Sequence, residues 1–155
     1  VIPVGNKGLV IEKVDGPSHL KVVEEFGYEM YMHCGAIRKV LLAWQTPAFI
    51  DEYFKNIILH DQAFPHVRPD DLREELKKIR QDGYAITHGE YVTDALGIGA
   101  PVFNSDGELA GSIGIIAPEI RVDTPEFLDT QKDLVQFYAS SLSADLGYEK
   151  HDVFQ

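Results

Sequence analysis

One cysteine, Cys34, is all that the 155-residue chain carries. A lone thiol excludes an intramolecular disulfide, and a reducing cytoplasm is the compartment it suits. Cations are scarce too: 14 Lys and Arg stand against 25 Asp and Glu, a formal net charge of -11. Nucleic-acid binding leans on basic patches, so the chain is expected not to bind DNA by itself. No apolar run approaches the ~18 residues that suggest a membrane span, so no membrane partner is expected. Nor does a basic segment followed by an apolar one open the chain, so no signal peptide is expected. What remains is ordinary for a globular domain, 45% hydrophobic and 25% charged residues, which argues against disorder. The length suits one domain, residues 1–155. The first residue is Val1 rather than Met, inside a strand-like VIPV. The expectation is a piece of a longer protein.

Periodicity divides the chain into strands, helices, strands and a last helix. VIPV, LVIEKVD and HLKVVEE read as strands broken at Gly5–Gly8 and Gly16–Ser18, and YEMYM follows Gly27. From Cys34 the period becomes helical: Ile37, Val40, Leu41 and Trp44 share a face, with Arg38 and Lys39 off it. Thr46-Pro47 restarts a helix, and residues 56–67 read as loop. Pro69 to Asp82 carries the strongest helix signal. Asp70 and Asp71 sit in its first turn, Leu72, Leu76 and Ile79 form a stripe, Glu74 pairs with Lys78, and Gly83 ends it. YAITH, LGIGAPVF and ELAGSIGIIAP read as strands, the last two joined by a hairpin turn at Asn104–Gly107. A final helix starts at Asp123–Glu126. It is expected to present Leu128, Gln131, Val135, Tyr138 and Leu142 on one face. Hairpins without βαβ alternation predict an α+β fold with an antiparallel sheet.

Candidate chemistry is sparse. His33-Cys34 lies before a helix, where a dipole and a neighbouring imidazole could activate a thiolate; equally, Cys34 is a small buried hydrophobe. Possible metal ligands are His19, His33, His60, His66, His88, His151, Cys34, Glu90 and Asp94. They show no zincin spacing and only one thiol, so no metal and no cofactor are expected. Gly97-Ile98-Gly99 lacks the third glycine and the following helix of a phosphate loop. No Ser/His/Asp signature points to an enzyme. A pocket is the better reading. The loop from Val22 to Met32, the helix start at Cys34–Ile37, the YAITHGE strand and the glycine hairpin could converge, with Phe26, Tyr28 and Met30 lining the space. The alternative is that Gly97, Gly99, Gly111 and Gly114 serve twist and close packing. Both readings stay open at the level of sequence.

Three segments in order resemble one family. MHCGAIRKVLLAW resembles the LPxHxxAxGKAxLA stretch of IclR-type transcriptional regulators. LREELKKIRQDGYAITHGEY resembles their LxxELxxIRxxGYAxDxEE, and GIGAPVFNSDGELAGSIGIIAP resembles CIAAPVFDxxGxxVAAISVSGP. The resemblance covers nearly the whole chain. It implies a GAF-like or profilin-like effector-binding domain, with helices packed on an antiparallel sheet. A winged helix-turn-helix DNA-binding domain would precede it, outside this chain. It further implies a small-molecule effector, a homodimer or homotetramer, and contact with DNA only through that preceding domain. The effector-binding positions it implies are Val22, Met30, His33, Ala36, Ile37, Thr87, Glu90, Ala95, Gly97, Gly114 and Ile116. Departures from the pattern are informative. Arg38 replaces a glycine, Thr87 an acidic residue, Gly97 a cysteine, and Gly114 and Ile116 two serines. Donors to a small carboxylate are lost, and burying a carboxylate without donors is costly. The expected ligand is therefore larger and more apolar or aromatic, unless Arg38 points inward. Two other readings compete: a metal- or thiol-dependent sensor or enzyme using His33, Cys34, His88 and Glu90, and a pure dimerisation module with a degenerate pocket.

Overall fold

The computed structural model describes residues 1–19, 21–22, 24–60, 67–122 and 124–149. Its element order is β1 (Ile2–Val4), β2 (Lys7–Leu9), β3 (Glu29–Tyr31), α1 (Ala36–Ala43), α2 (Pro47–Tyr53) with a π-helical turn (Phe54–Ile58), α3 (Pro69–Asp82), β4 (Ala85–His88), β5 (Ala95–Phe103), β6 (Leu109–Pro118), a 3-10 turn (Glu119–Arg121) and α4 (Pro125–Asp145). All strand pairs are antiparallel, in the orders β1-β2-β3 and β4-β5-β6. Val1 and Ser112 exchange two backbone bonds, 2.9 and 2.8 Å, and so join the two sheets edge to edge between β1 and β6. The fold is α+β, as the hairpin-rich order implied.

Turn and cap chemistry fixes the boundaries. Thr46 and Thr124 hydroxyls accept from the N–H groups of Phe49 and Phe127, three residues on, the N-cap arrangement. Gly83 closes α3 in the left-handed region at φ 78°, where a Cβ would be strained. In the β5–β6 hairpin the Asn104 side chain accepts from the N–H groups of both Asp106 and Glu108.

Strand β5 is the centre of the molecule. Leu96, Ile98, Ala100 and Val102 point to one face and pack against Val135 and Ala139 of α4. Gly97 and Gly99 point to the other face, where α1 lies. A Cβ on Gly99 would sit 2.7 Å from Ile37 Cα, and one on Gly114 would sit 2.6 Å from Ile37 Cγ1. Real side chains do not approach so closely. At these two positions the glycines serve close packing rather than an open pocket. α3 then covers the outer side of α1 through Leu72, Leu76 and Ile79.

Several sequence expectations change. LVIEKVD forms a strand only to Leu9, and HLKVVEE forms none among its described residues. Backbone pairing with the β3 side ends at Val10, which bonds to Gly27 and Tyr28, and among the described residues no strand continues beyond it, so alternation alone does not make a sheet. Arg38 and Lys39, expected off the buried stripe, are buried with the whole of α1. Part of the expected loop after residue 56 is the π-helical turn, and His66 and His151 lie outside the described residues. Glu74 pairs with Lys77 rather than Lys78. On α4 the buried residues are Val135, Ala139 and Ser143, while Tyr138 and Leu142 are exposed. Small side chains let that helix seat on the sheet, which turns the bulky ones outward.

Gly99→Ala should destabilise the domain by about 1–3 kcal/mol in urea unfolding, because the α1 backbone would have to move. Gly16→Ala, where a Cβ meets nothing within 4 Å, should change the midpoint little. Equal effects would contradict the close seating of α1.

Candidate functional site

The N-terminal end of α1 faces a cavity. Its walls are Gly35, Ala36, Ile37 and Arg38 from the helix start, Thr87 from β4, Tyr91 and Val92 from the following loop, Ala95, Leu96 and Gly97 from β5, and Ile116 from β6. Empty space between these residues is about 320 Å³, of which about 20 Å³ is open to the centre of a water molecule. A more open cleft, with about 670 Å³ open to the centre of a water molecule, shares Val92 as a wall. That cleft is lined by Lys21, Val22, Val92, Thr93, Asp94, Pro118, Glu119 and Ile120.

Of the eleven positions implied by resemblance, Ala36, Ile37, Thr87, Ala95, Gly97 and Ile116 line the cavity. Val22 lines the adjoining cleft instead. Met30 sits in β3 opposite Gly8, and Gly114 lies under Ile37. His33 is buried elsewhere, with Nδ1 2.7 Å from the Tyr53 hydroxyl. Glu90 turns to Lys39. Phe26 is largely exposed, and Tyr28 packs on Tyr91 rather than on the cavity. Tyr91 and Val92 went unnoticed in the sequence. Their only signal there was an aromatic-aliphatic pair in the turn after a strand.

Two buried cations organise the surroundings. Lys39 Nζ lies 2.7 Å from a carboxylate oxygen of Glu75 on α3 and 2.7 Å from one of Glu90. Arg38 Nη1 donates to Glu24 at 2.8 Å, and its guanidinium lies 5.1 Å from the Tyr91 ring centroid and 5.9 Å from that of Tyr28. Arg38 is the one charged residue among those lining the cavity. The Thr87 hydroxyl accepts from the Ala36 N–H at 3.1 Å, which leaves its own proton to donate. Burial holds the Tyr91 phenol above its ordinary range, with a hydrogen bond to Tyr28 and the Glu24 charge adding to the effect.

The metal reading does not assemble. His88 is exposed and meets Glu119 at 3.0 Å, Glu90 meets Lys39, and Cys34 is buried. Among the described residues no three His, Cys, Asp or Glu side chains are grouped to hold a metal ion.

Helices on both faces of an antiparallel sheet define the class as an α+β domain, and comparison gives the family. Residues 2–144 match the family model described as bacterial transcriptional regulator IclR C-terminal. The chain belongs to the IclR family of transcriptional regulators, as its C-terminal domain. It is 30% identical over 141 residues to RhmR of Escherichia coli (strain K12), an uncharacterized HTH-type transcriptional regulator, covering 90% of this chain and 54% of that protein. Identity to the HTH-type transcriptional regulator KipR of Bacillus subtilis (strain 168) is 26% over 145 residues, covering 93% and 58%. The crystal structure of the Thermotoga maritima IclR superposes with a TM-score of 0.84 at 28% identity, covering 95% of this chain and 60% of that one. The chain thus spans about half the length of these two curated relatives. Both are named as transcriptional regulators, not enzymes. Among the described residues no helix is long and apolar enough to cross a membrane.

Two measurements check this geometry. Lys39→Met should cost about 1–3 kcal/mol of stability, less than a fully buried pair because Glu75 and Glu90 are partly exposed and can rehydrate. Tyr91→Phe should remove a phenol that ionises later than the others in an alkaline absorbance titration. The sign follows from its raised value. Above about pH 10, where an unfolded tyrosine loses its proton, the folded chain still holds this one. Its share of stability therefore falls as pH rises, and Tyr91→Phe should be less sensitive to alkali. A difference titration at the ordinary tyrosine value would contradict the packing of Tyr91.

Proposed function

We propose that this domain is the ligand-sensing and oligomerisation part of an IclR-type transcriptional regulator. It binds a small effector in the cavity at the start of α1. Occupancy is passed to a DNA-binding domain that precedes it in the full-length protein, acting in the cytoplasm. The observation that carries this reading is the cavity itself: concave, mostly apolar, with a few convergent polar groups. A short physical link supports transmission. Ile37 lines the cavity, the Ser112 hydroxyl donates to the Ile37 carbonyl at 2.7 Å, and Ser112 is bonded through its backbone to Val1. Oligomerisation has support in α4, which leaves Phe127, Leu134, Phe137, Tyr138 and Leu142 exposed. Such a row is more than scattered apolar residues, and a second copy of the chain is the occupant proposed for it. The domain's acidity leaves DNA contact to the preceding part.

A pure dimerisation module is the second reading. It is favoured by the small opening, where about 20 Å³ holds about one water.

Native mass spectrometry of the purified chain tests both. A co-purifying small molecule, lost on Ala36→Leu, is the result expected for a sensor. A ligand-free assembly that no metabolite stabilises supports the second reading. Phe137→Glu should shift the assembly towards monomer in analytical ultracentrifugation; an unchanged mass would remove α4 as the interface.

A further inference from the structure

We propose that Arg38 is the specificity-determining residue of this cavity, taking a carboxylate on the Nε–Nη2 edge of its guanidinium, with Glu24 as the internal counter-ion that the ligand competes against. This deepens the ligand-sensing reading and rests on it.

Arg38 is only 1% exposed. Its Nη1 donates to Glu24, but Nε and Nη2 are buried with no hydrogen-bond partner among the described residues. Buried donors of a charged group left unpaired are costly. The Tyr91 and Tyr28 rings offset part of that cost through their π faces, but they supply no acceptor in the plane of the guanidinium. Nε–H and the nearer Nη2–H point from one edge of a planar group, the edge that a carboxylate meets with two parallel bonds. Lys39, the next residue, cannot serve: Glu75 and Glu90 hold its ammonium.

The space sets the rest of the ligand. The inner cavity holds about one water, so a carboxylate enters it only as its walls yield, and nothing bulkier fits there. The body of the ligand must then extend past Val92, the residue shared with the 670 Å³ cleft. The class is thus a carboxylate on a short apolar or aromatic body. The charge of Glu24 opposes a second carboxylate on the same guanidinium. Glu24 lies in the long irregular segment between β2 and β3, so an entering ligand loosens that segment's hold on α1.

Calorimetric titration of the whole chain with acid and amide pairs of equal shape tests this: propionate against propionamide, benzoate against benzamide. At least one acid should bind about tenfold or more tighter than its amide, a difference of ~1.4 kcal/mol. Glu24→Gln should tighten the acid several-fold and leave the amide unchanged, which a merely structural Arg38 would not produce. Arg38→Met should erase the preference; if that variant does not fold, Glu24→Gln alone decides. Acid and amide binding alike, in the native chain and in Glu24→Gln, overturns the role of Arg38 and leaves the sensing reading standing. Native chain that binds neither pair overturns the Arg38 proposal; a co-purifying ligand in native mass spectrometry then keeps the sensing reading, and its absence removes both.

Discussion

The contact on which the rest of the structure depends is the seat of α1 on the glycines of β5 and β6. Because Gly99 and Gly114 carry no Cβ, the Ile37 backbone lies directly on Gly99 and its side chain on Gly114. α3 then closes over the far side, and Val40, Leu41 and Leu42 are wholly buried. Each such side chain contributes about 1.5–3 kcal/mol of transfer free energy, as an upper bound. A helix enclosed on every side has no solvent face. Anything polar on it must find its partner inside the protein.

Arg38 and Lys39 follow from that enclosure. Their partners come from three different places: Glu75 on α3, Glu90 and Tyr91 after β4, and Glu24 and Tyr28 between β2 and β3. Buried ion pairs add little net stability, since desolvation offsets most of their attraction. Their effect here is directional. Two cations one residue apart hold two irregular segments in place, and Tyr91, in one of them, walls the cavity. The polar content of the core and the shape of the site therefore have one origin.

This also explains what the sequence made legible. Segments whose own pattern decides them were readable: α3 from Pro69 to Gly83, the β5–β6 hairpin around Asn104 and Gly107, and the helix starts at Thr46-Pro47 and Thr124-Pro125. Elements decided by partners were not. The alternation in residues 11–15 had no neighbouring strand among the described residues, and the outward face of α4 depended on Ala139 and Ser143 fitting the sheet. For the site, the helix start and the strand residues were readable through family resemblance. Tyr91 and Val92 were not, because a turn places them by its three-dimensional path rather than by periodicity. Arg38 stood out as a departure from the family pattern, but its burial depended on α3 covering α1, a tertiary fact.

The net charge of -11 takes on a different meaning beside Arg38. It repels anions at a distance, but salt screens exposed charges beyond about 8–10 Å. In the proposed binding mode, a ligand that reaches the cavity meets one guanidinium at close range, in a poorly hydrated setting where a directed hydrogen bond counts for more than the distant field. Glu24 is the internal counter-ion of that guanidinium. Competition with Glu24 weakens binding, yet a ligand shifts a conformational equilibrium only if it interacts differently with the two states. Displacing an internal carboxylate supplies that difference. In a sensor, affinity given up to a built-in competitor is what makes occupancy change the structure.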